Sequence, residues 1–361
     1  MATDEKKILT RGERRFLASW AAGLLLAFAL ATWAGAGLLR GHALETAELR
    51  ASRLAAIQVP AAKSSSAVEV TTGLRLLGIS DFSLQEAYWT AEFEVWFRWK
   101  GDALSPGEDF TIVDGEILRR EKRKSLLQDG EHYERYYVSA KITRSFDSTR
   151  FPFADVGVLI RIEDSAHDAQ LLHFVADQRD SGIELGEERF AIRMKQSFLG
   201  VAQHAYENRR GDNLRGEQAP EIHSQLVFAA LVDPPSASAY QKMFAALLAS
   251  VALGLAAFFI KPTWGDGRFG MGCGAFFAAV ANNVFTRGSL PASGRVSLTD
   301  MVNAAGLGTI FLTIVASLIS LHIFDTRESP RLSRIFDWLT FAVMLLCFAG
   351  FNLALALAAQ P

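Results

Sequence analysis

The sequence is poor in cysteine: only Cys273 and Cys347 occur among 361 residues, and both lie in apolar stretches. The polar part of the chain therefore holds no disulfide and no cysteine-based zinc site. The seven histidines show no His-x-x-x-His spacing, and the sequence contains neither a Walker-type glycine loop nor a Gly-x-Ser-x-Gly elbow. We therefore expect no enzyme activity, no catalytic residues, no cofactor and no metal site.

An excess of positive charge is also missing. The chain has 37 Lys and Arg residues against 39 Asp and Glu residues, which gives a formal net charge of −2. Proteins that bind nucleic acid through its phosphates usually carry a basic excess. Nucleic acid is therefore not an expected partner.

Charge is unevenly distributed, because five stretches contain no Asp, Glu, Lys or Arg. A bilayer core about 30 Å thick requires roughly 20 apolar residues in a helix, so each stretch is a candidate membrane span. The sequence predicts a multi-pass membrane protein with one large polar domain. The uncharged stretches are 16–39, 243–260, 269–286, 301–324 and 338–360.

The segment before the first apolar stretch is basic, with Lys6, Lys7, Arg11, Arg14 and Arg15. This pattern predicts a cytoplasmic tail and an N-terminal signal anchor over residues 1–40, with the following residues exported. Cleavage of a signal peptide after Ala34-Gly35-Ala36 is the alternative. Residues 41–67 are rich in Ala and Ser and are interpreted as a linker.

Residues 68–236 alternate between polar and apolar residues, most clearly over Thr90–Trp99. Such alternation is typical of half-buried strands, and turn residues separate the strand-like segments. We expect an antiparallel β-sandwich on the periplasmic side, followed by a domain of four transmembrane helices over 237–361. The fold class is thus an all-β extracellular sandwich plus an all-α four-helix transmembrane bundle, with an additional N-terminal transmembrane helix. The other strand-like segments are 136–142, 156–162, 171–175, 190–194 and 225–232.

The order of several motifs resembles that of the pentameric ligand-gated ion channels, particularly their bacterial members. Strand-like segments at Gly73–Asp81 and Tyr88–Trp99 are similar to the opening strands of that family. Phe151-Pro152-Phe153-Ala154-Asp155 resembles its Phe-Pro-Phe-Asp loop, with one additional residue before the acid. Gly265–Arg268 opens a helix that carries Asn283, and Leu290-Pro291 follows, as in the family's pore helix and the loop after it. The resemblance spans roughly residues 68–358.

This resemblance implies a homopentameric channel subunit in a bacterial inner membrane, with inorganic ions and the lipid bilayer as partners. An unidentified small molecule or the proton would act as agonist between neighbouring sandwiches. Movement of the sandwich would reach the pore through contact between the two loops. The coupling residues are expected to be Phe151, Pro152, Phe153, Asp155, Leu290 and Pro291.

Helical spacing from Asp266 places six residues on one stripe that would line a pore about 27 Å long in the assembly. A ring of Phe277 would form a hydrophobic constriction, and a ring of Asp266 would favour cations. Arg268 should point about 200° away from Asp266. The alternative interpretation is that Gly270, Gly272 and Gly274 pack one helix against another. The expected pore-lining residues are Asp266, Gly270, Gly274, Phe277, Ala281 and Val284.

The ligand site is less well defined by the sequence. Aromatic residues of the sandwich, among them Trp96, Tyr133 and Tyr136, are candidates for an aromatic cage, although core packing also explains them. Arg209 and Arg210 lie in a polar segment whose position matches the family's capping loop. The turn Glu163–Asp168 could hold Ca²⁺ or sense protons, but we interpret it as a solvated turn. A non-conducting membrane receptor or scaffold on the same fold is the alternative function, since 243–260 lacks the family's usual mid-helix proline.

Overall fold

The computed structural model describes residues 9–58, 67–144, 146–154, 156–184, 194–206, 221–232, 236–291 and 294–360. The chain divides into two compact units. The helical unit comprises residues 1–44, 147–154 and 235–361, and the β unit comprises residues 45–146 and 155–234. Asp155, Arg209 and Arg210, which the sequence marks as candidate site residues, lie outside the described residues.

The elements follow one another in the order helix, strands, helices. A single turn of 3₁₀-helix at Ala257–Phe259 follows α3. The helices are α1 (Arg11–Gln58), α2 (Pro106–Asp109), α3 (Ser236–Ala256), α4 (Gly265–Gly288), α5 (Leu298–Thr326) and α6 (Pro330–Ala358). The strands are β1 (Val68–Ser83), β2 (Tyr88–Lys100), β3 (Phe110–Ile112), β4 (Gly115–Gln128), β5 (Glu131–Thr143), β6 (Val156–Asp164), β7 (Leu172–Ala176), β8 (Gly182–Ile183), β9 (Met194–Tyr206) and β10 (Glu221–Val232).

The strands form two sheets that resemble a β-sandwich. One sheet has six strands, in the order β4-β5-β2-β1-β7 with β8 also paired to β1, and the other has the order β3-β6-β10-β9. Their apolar side chains meet in one core, in which Phe97 of the first sheet and Phe228 of the second are both almost fully buried. Alternation along the inner strands, such as β2 and β5, puts one set of side chains into this core and the other set away from it.

Two features of the sheets differ from the sequence expectation. The six-stranded sheet is mixed, since β1 pairs in parallel with β7 and with β8, whereas we expected antiparallel strands throughout. In addition, the 14-residue strand β4 was not expected. It carries five cationic residues between positions 119 and 124 and lies at a sheet edge, so its sequence lacks the apolar alternation of a strand with one buried face.

Among the described residues, five helices, α1 and α3–α6, contain segments long and apolar enough to span a membrane. α1 is continuous through the first uncharged stretch and remains helical to Gln58, so most of the predicted linker is helix. Indole Nε1 of Trp20 donates a hydrogen bond of 3.0 Å to Oγ1 of Thr340 in α6. The Tyr240 hydroxyl of α3 donates one of 2.7 Å to Oδ1 of Asn352, also in α6. These bonds pair polar groups that lipid could not satisfy.

Candidate functional site

α4 has one buried and one exposed face. Its buried residues recur every three or four positions, and a rotation of about 100° per residue puts all six within an arc of roughly 80°. This face packs against neighbouring helices; for example, the Asn282 amide Nδ2 donates a bond of 3.2 Å to Oδ1 of Asn303 in α5. The buried residues are Arg268, Gly272, Ala275, Ala279, Asn282 and Thr286.

The opposite face carries the residues expected to line a pore. On the same helical rotation they also span an arc of roughly 80°, and its centre lies about 160° from that of the buried stripe. The Phe277 side chain is 73% exposed, and that of Val284 is 68% exposed. The structure thus places all six on one continuous exposed surface, which we call the α4 open face: Asp266, Gly270, Gly274, Phe277, Ala281 and Val284.

The glycines of α4 differ in their surroundings. This difference distinguishes the two interpretations of these glycines, which are pore lining and packing of one helix against another. A Cβ atom built on Gly272 would lie 2.8 Å from Cγ1 of Ile314, so this glycine permits close approach of α4 to α5. A Cβ atom built on Gly270 or Gly274 would meet no atom within 4 Å. Helix packing within the chain therefore explains Gly272, and it leaves the other two glycines without a packing role in the chain itself.

A buried ion pair joins the start of α4 to α6. Nη2 of Arg268 lies 2.6 Å from Oδ1 of Asp337, and both side chains are almost completely buried. Nη1 of Arg268 donates a bond of 3.4 Å to the Ser320 hydroxyl of α5, and the guanidinium also lies over the Phe258 ring. Arg268 thus points away from the α4 open face, and an acid neutralises its charge.

The loop of residues 147–154 lies between strands β5 and β6 but belongs to the helical unit. The carbonyl oxygen of Thr149 accepts a bond of 2.8 Å from the backbone N–H of Leu298, the first residue of α5. The Phe153 ring packs 5.5 Å from the ring of Tyr240 in α3, and the Arg150 guanidinium donates to the Ala359 carbonyl after α6. The loop thus contacts the ends of three helices.

Of the expected coupling residues, Phe151, Pro152 and Phe153 lie in this loop. Leu290 and Pro291 lie in the segment between α4 and α5, and their contact with the loop stays a prediction. Sequence reasoning did not anticipate Thr149, Arg150 or Leu298. The sequence carries no signal for a backbone bond of this kind, because any residue except proline could donate it.

The β unit contains a cavity of about 550 Å³ on the face of the six-stranded sheet that lies opposite its core. Tyr133 and Trp96 supply its aromatic surface. Three arginines and five acids also line it, so its lining has a net negative formal charge. The charged residues that line it are Arg75, Arg98, Arg135, Glu94, Asp129, Glu131, Asp177 and Asp180.

Asp177 organises one wall of this cavity. Its Oδ2 accepts a hydrogen bond of 3.1 Å from the Trp96 indole and one of 2.7 Å from Nη2 of Arg98. Arg135 faces Glu94 at 3.5 Å, which makes a second ion pair in the wall. Aromatic surface beside fixed charges of both signs suits a small ligand that carries an amine.

Of the two tyrosines proposed as ligand residues, only Tyr133 lines the cavity. Tyr136 is buried in the core; its hydroxyl donates to Glu134 at 2.6 Å, and a carboxylate oxygen of Glu108 lies 3.2 Å from it. Burial, with these acids, raises the pKa of Tyr136 above its ordinary value. Trp96, also a candidate for the cage, lines the cavity as well. Sequence reasoning missed Arg98 as a site residue, although its shared parity with Glu94 and Trp96 along β2 places all three on the face away from the core.

No family model and no curated protein matches this chain.

Proposed function

We propose that the chain is a subunit of a homopentameric ligand-gated ion channel in a bacterial inner membrane, with α4 lining the pore. The proposal depends on one observation above all, the separation of α4 into a buried stripe and an open face. In this arrangement α3–α6 form a four-helix bundle, α1 is an additional N-terminal span, and the β unit lies in the periplasm. The number of subunits, five, is proposed because the order of motifs resembles that of the pentameric ligand-gated channels.

The composition of α4 favours a pore over lipid as the neighbour of its open face. Among the five candidate spans, α4 has the lowest mean hydropathy, 1.2 against 1.9 to 2.3 for the others. Its open face includes two glycines, which offer lipid little apolar surface, and it begins with the carboxylate of Asp266 in the first turn. Phe277 and Val284 supply the apolar ring that a dewetting gate requires.

The charges at the two ends of α4 favour cation conduction. Asp266 is exposed in the first turn, whereas the charge of Arg268 is compensated by Asp337 in the interior. At the other end, exposed Arg287 lies 3.7 Å from Asp300 of α5, which reduces its effect. A ring of Asp266 carboxylates is therefore the uncompensated charge of the pore mouth.

Two structural features support gating by a ligand. The cavity beside Asp177 supplies a volume that fits a small molecule. The loop 147–154 is covalently continuous with β5 and β6, and it contacts the ends of α3, α5 and α6. A shift of these strands on ligand binding would therefore be transmitted to helices that pack beside α4.

Ion flux into liposomes tests the proposal. Phe277→Ser should increase the flux without agonist, because a polar ring no longer expels water from the constriction. Phe311→Ser is the matched control: Phe311 is 58% exposed but lies on α5, so its replacement should leave the flux unchanged. Equal flux in the wild type and in Phe277→Ser would favour the non-conducting receptor or scaffold.

The mass of the detergent-solubilised particle is an independent test of the assembly. A pentamer should have five times the chain mass of 39.6 kDa. A monomer or a dimer would refute a shared pore, because one or two copies of α4 cannot enclose a lumen.

A further inference from the structure

Three potential metal ligands meet in the β unit, away from the cavity described above. Asp109 ends α2, Asp164 ends β6, and His167 lies in the turn that follows β6. Each residue offers one ligand atom, and the three atoms lie within 4.8 Å of one another. This cluster includes part of the turn Glu163–Asp168, which from sequence alone is interpreted as a solvated turn.

Backbone contacts hold the cluster together. Strands β3 and β6 pair so that Phe110 lies opposite Asp164, which brings the end of α2 beside the turn. Ser165 then donates two hydrogen bonds to the carbonyl oxygen of Asp109, one of 2.9 Å from its backbone N–H and one of 2.7 Å from its hydroxyl. The two segments are therefore fixed to each other before any ligand binds.

Asp164 carries the observation that points to a ligand. Its side chain is only 1% exposed. Its Oδ1 accepts bonds from the backbone N–H groups of Ala166 and His167, but its Oδ2 is buried without a hydrogen-bond partner among the described residues. A buried carboxylate oxygen without a partner is costly, and such groups are rare in folded proteins. A bound cation would satisfy it.

The electrostatics of the cluster also favour a cation. Asp109 and Asp164 each offer a carboxylate oxygen, and these two atoms lie within 4.8 Å of each other. Two carboxylates thus repel each other at close range, and a divalent ion would convert that repulsion into attraction.

We propose that Asp109, Asp164 and His167 bind one Zn²⁺ ion per chain, with water completing the coordination. One imidazole and two carboxylates suit Zn²⁺ better than Ca²⁺, which prefers six to eight oxygen ligands. Nδ1 of His167 lies 2.9 Å from Oδ1 of Asp164, so the imidazole is already held beside this carboxylate. The proposal is independent of ion conduction by α4.

Equilibrium dialysis against Zn²⁺, with the bound metal counted by mass spectrometry, tests the site on the full chain in detergent without a histidine tag. The wild type should bind one Zn²⁺ per chain. His167→Gln and Asp109→Asn should each weaken binding at least about tenfold. Both residues are partly exposed, so either variant should fold.

His132→Gln is the matched control. Nε2 of His132 lies 2.9 Å from Oδ1 of Asp102, so this pair resembles His167 and Asp164 but has no third ligand among the described residues. Its replacement should leave Zn²⁺ affinity unchanged. Absence of stoichiometric Zn²⁺ in the wild type, or equal affinity in the wild type and the two cluster variants, would overturn the proposal. Displacement of Zn²⁺ by equimolar Ca²⁺ would overturn the assignment of the metal.

Discussion

Replacing Asp337 by Asn should destabilise the helical unit strongly. The change preserves the shape of the side chain but removes the negative charge that lies 2.6 Å from the Arg268 guanidinium. The positive charge of Arg268 would then remain buried without a counterion. The remaining polar contact of the guanidinium would be the Ser320 hydroxyl at 3.4 Å.

The size of the effect follows from the burial of both partners, which are 2% and 3% exposed. Removal of one partner from a buried ion pair costs about 3–5 kcal/mol of unfolding free energy. Removal of the other partner, Arg268→Met, should lower the unfolding free energy by less, because the Asp337 carboxyl group that is left alone can take up a proton. The double variant Arg268→Met/Asp337→Leu should recover most of the loss, since apolar replacement of a whole buried pair is often close to neutral.

Denaturant unfolding of the purified protein in mild detergent would measure these differences. We expect the wild type and the double variant to be the most stable, Arg268→Met to be less stable, and Asp337→Asn to be the least stable. Strictly additive losses in the double variant, or a loss below about 1 kcal/mol for Asp337→Asn, would refute the buried ion pair as the contact that joins α4 to α6.

Three further changes test other parts of the structure. Gly272→Ala should lower the unfolding free energy by about 1 kcal/mol or more relative to Gly274→Ala, because only the first Cβ collides with Ile314; equal thermal stability would contradict the close approach of α4 and α5. Stability should fall as pH rises above about 10, because the unfolded chain releases the Tyr136 proton that the folded protein retains; Tyr136→Phe should weaken this dependence in alkaline denaturant titrations. Asp177→Ala should cost about 1–3 kcal/mol because the Trp96 indole loses its acceptor, whereas Asp177→Asn should retain much of that stability and the native tryptophan fluorescence.

The sequence predicts best what depends on local periodicity. Stretches without charged residues predicted the long apolar helices α1 and α3–α6. Alternation of polar and apolar residues predicted β2, β5, β6 and β10. Each of these patterns depends only on which side chains of one element are buried. The same periodicity separated Asp266 from Arg268 on opposite sides of α4. β4 was missed because an edge strand with basic residues shows no such pattern.

Partners that are distant in the chain could not be predicted. Nothing near Arg268 identifies Asp337 as its counterion, and nothing near Thr149 identifies Leu298. The parallel pairing of β1 with β7 also depends on how separate segments assemble. For the same reason, the turn containing Asp164 could not be distinguished from a solvated turn until Asp109 was seen beside it.

The hydrogen bond between Trp20 and Thr340 joins residues 320 positions apart, and this has a consequence for biosynthesis. α1 is synthesised before the β unit, whereas its partner in α6 is synthesised after it. During translation, the Trp20 indole must remain without this acceptor while the whole β unit is produced. We therefore expect nascent chains truncated before α6 to expose an incompletely packed α1 and to be favoured substrates for membrane chaperones and proteases.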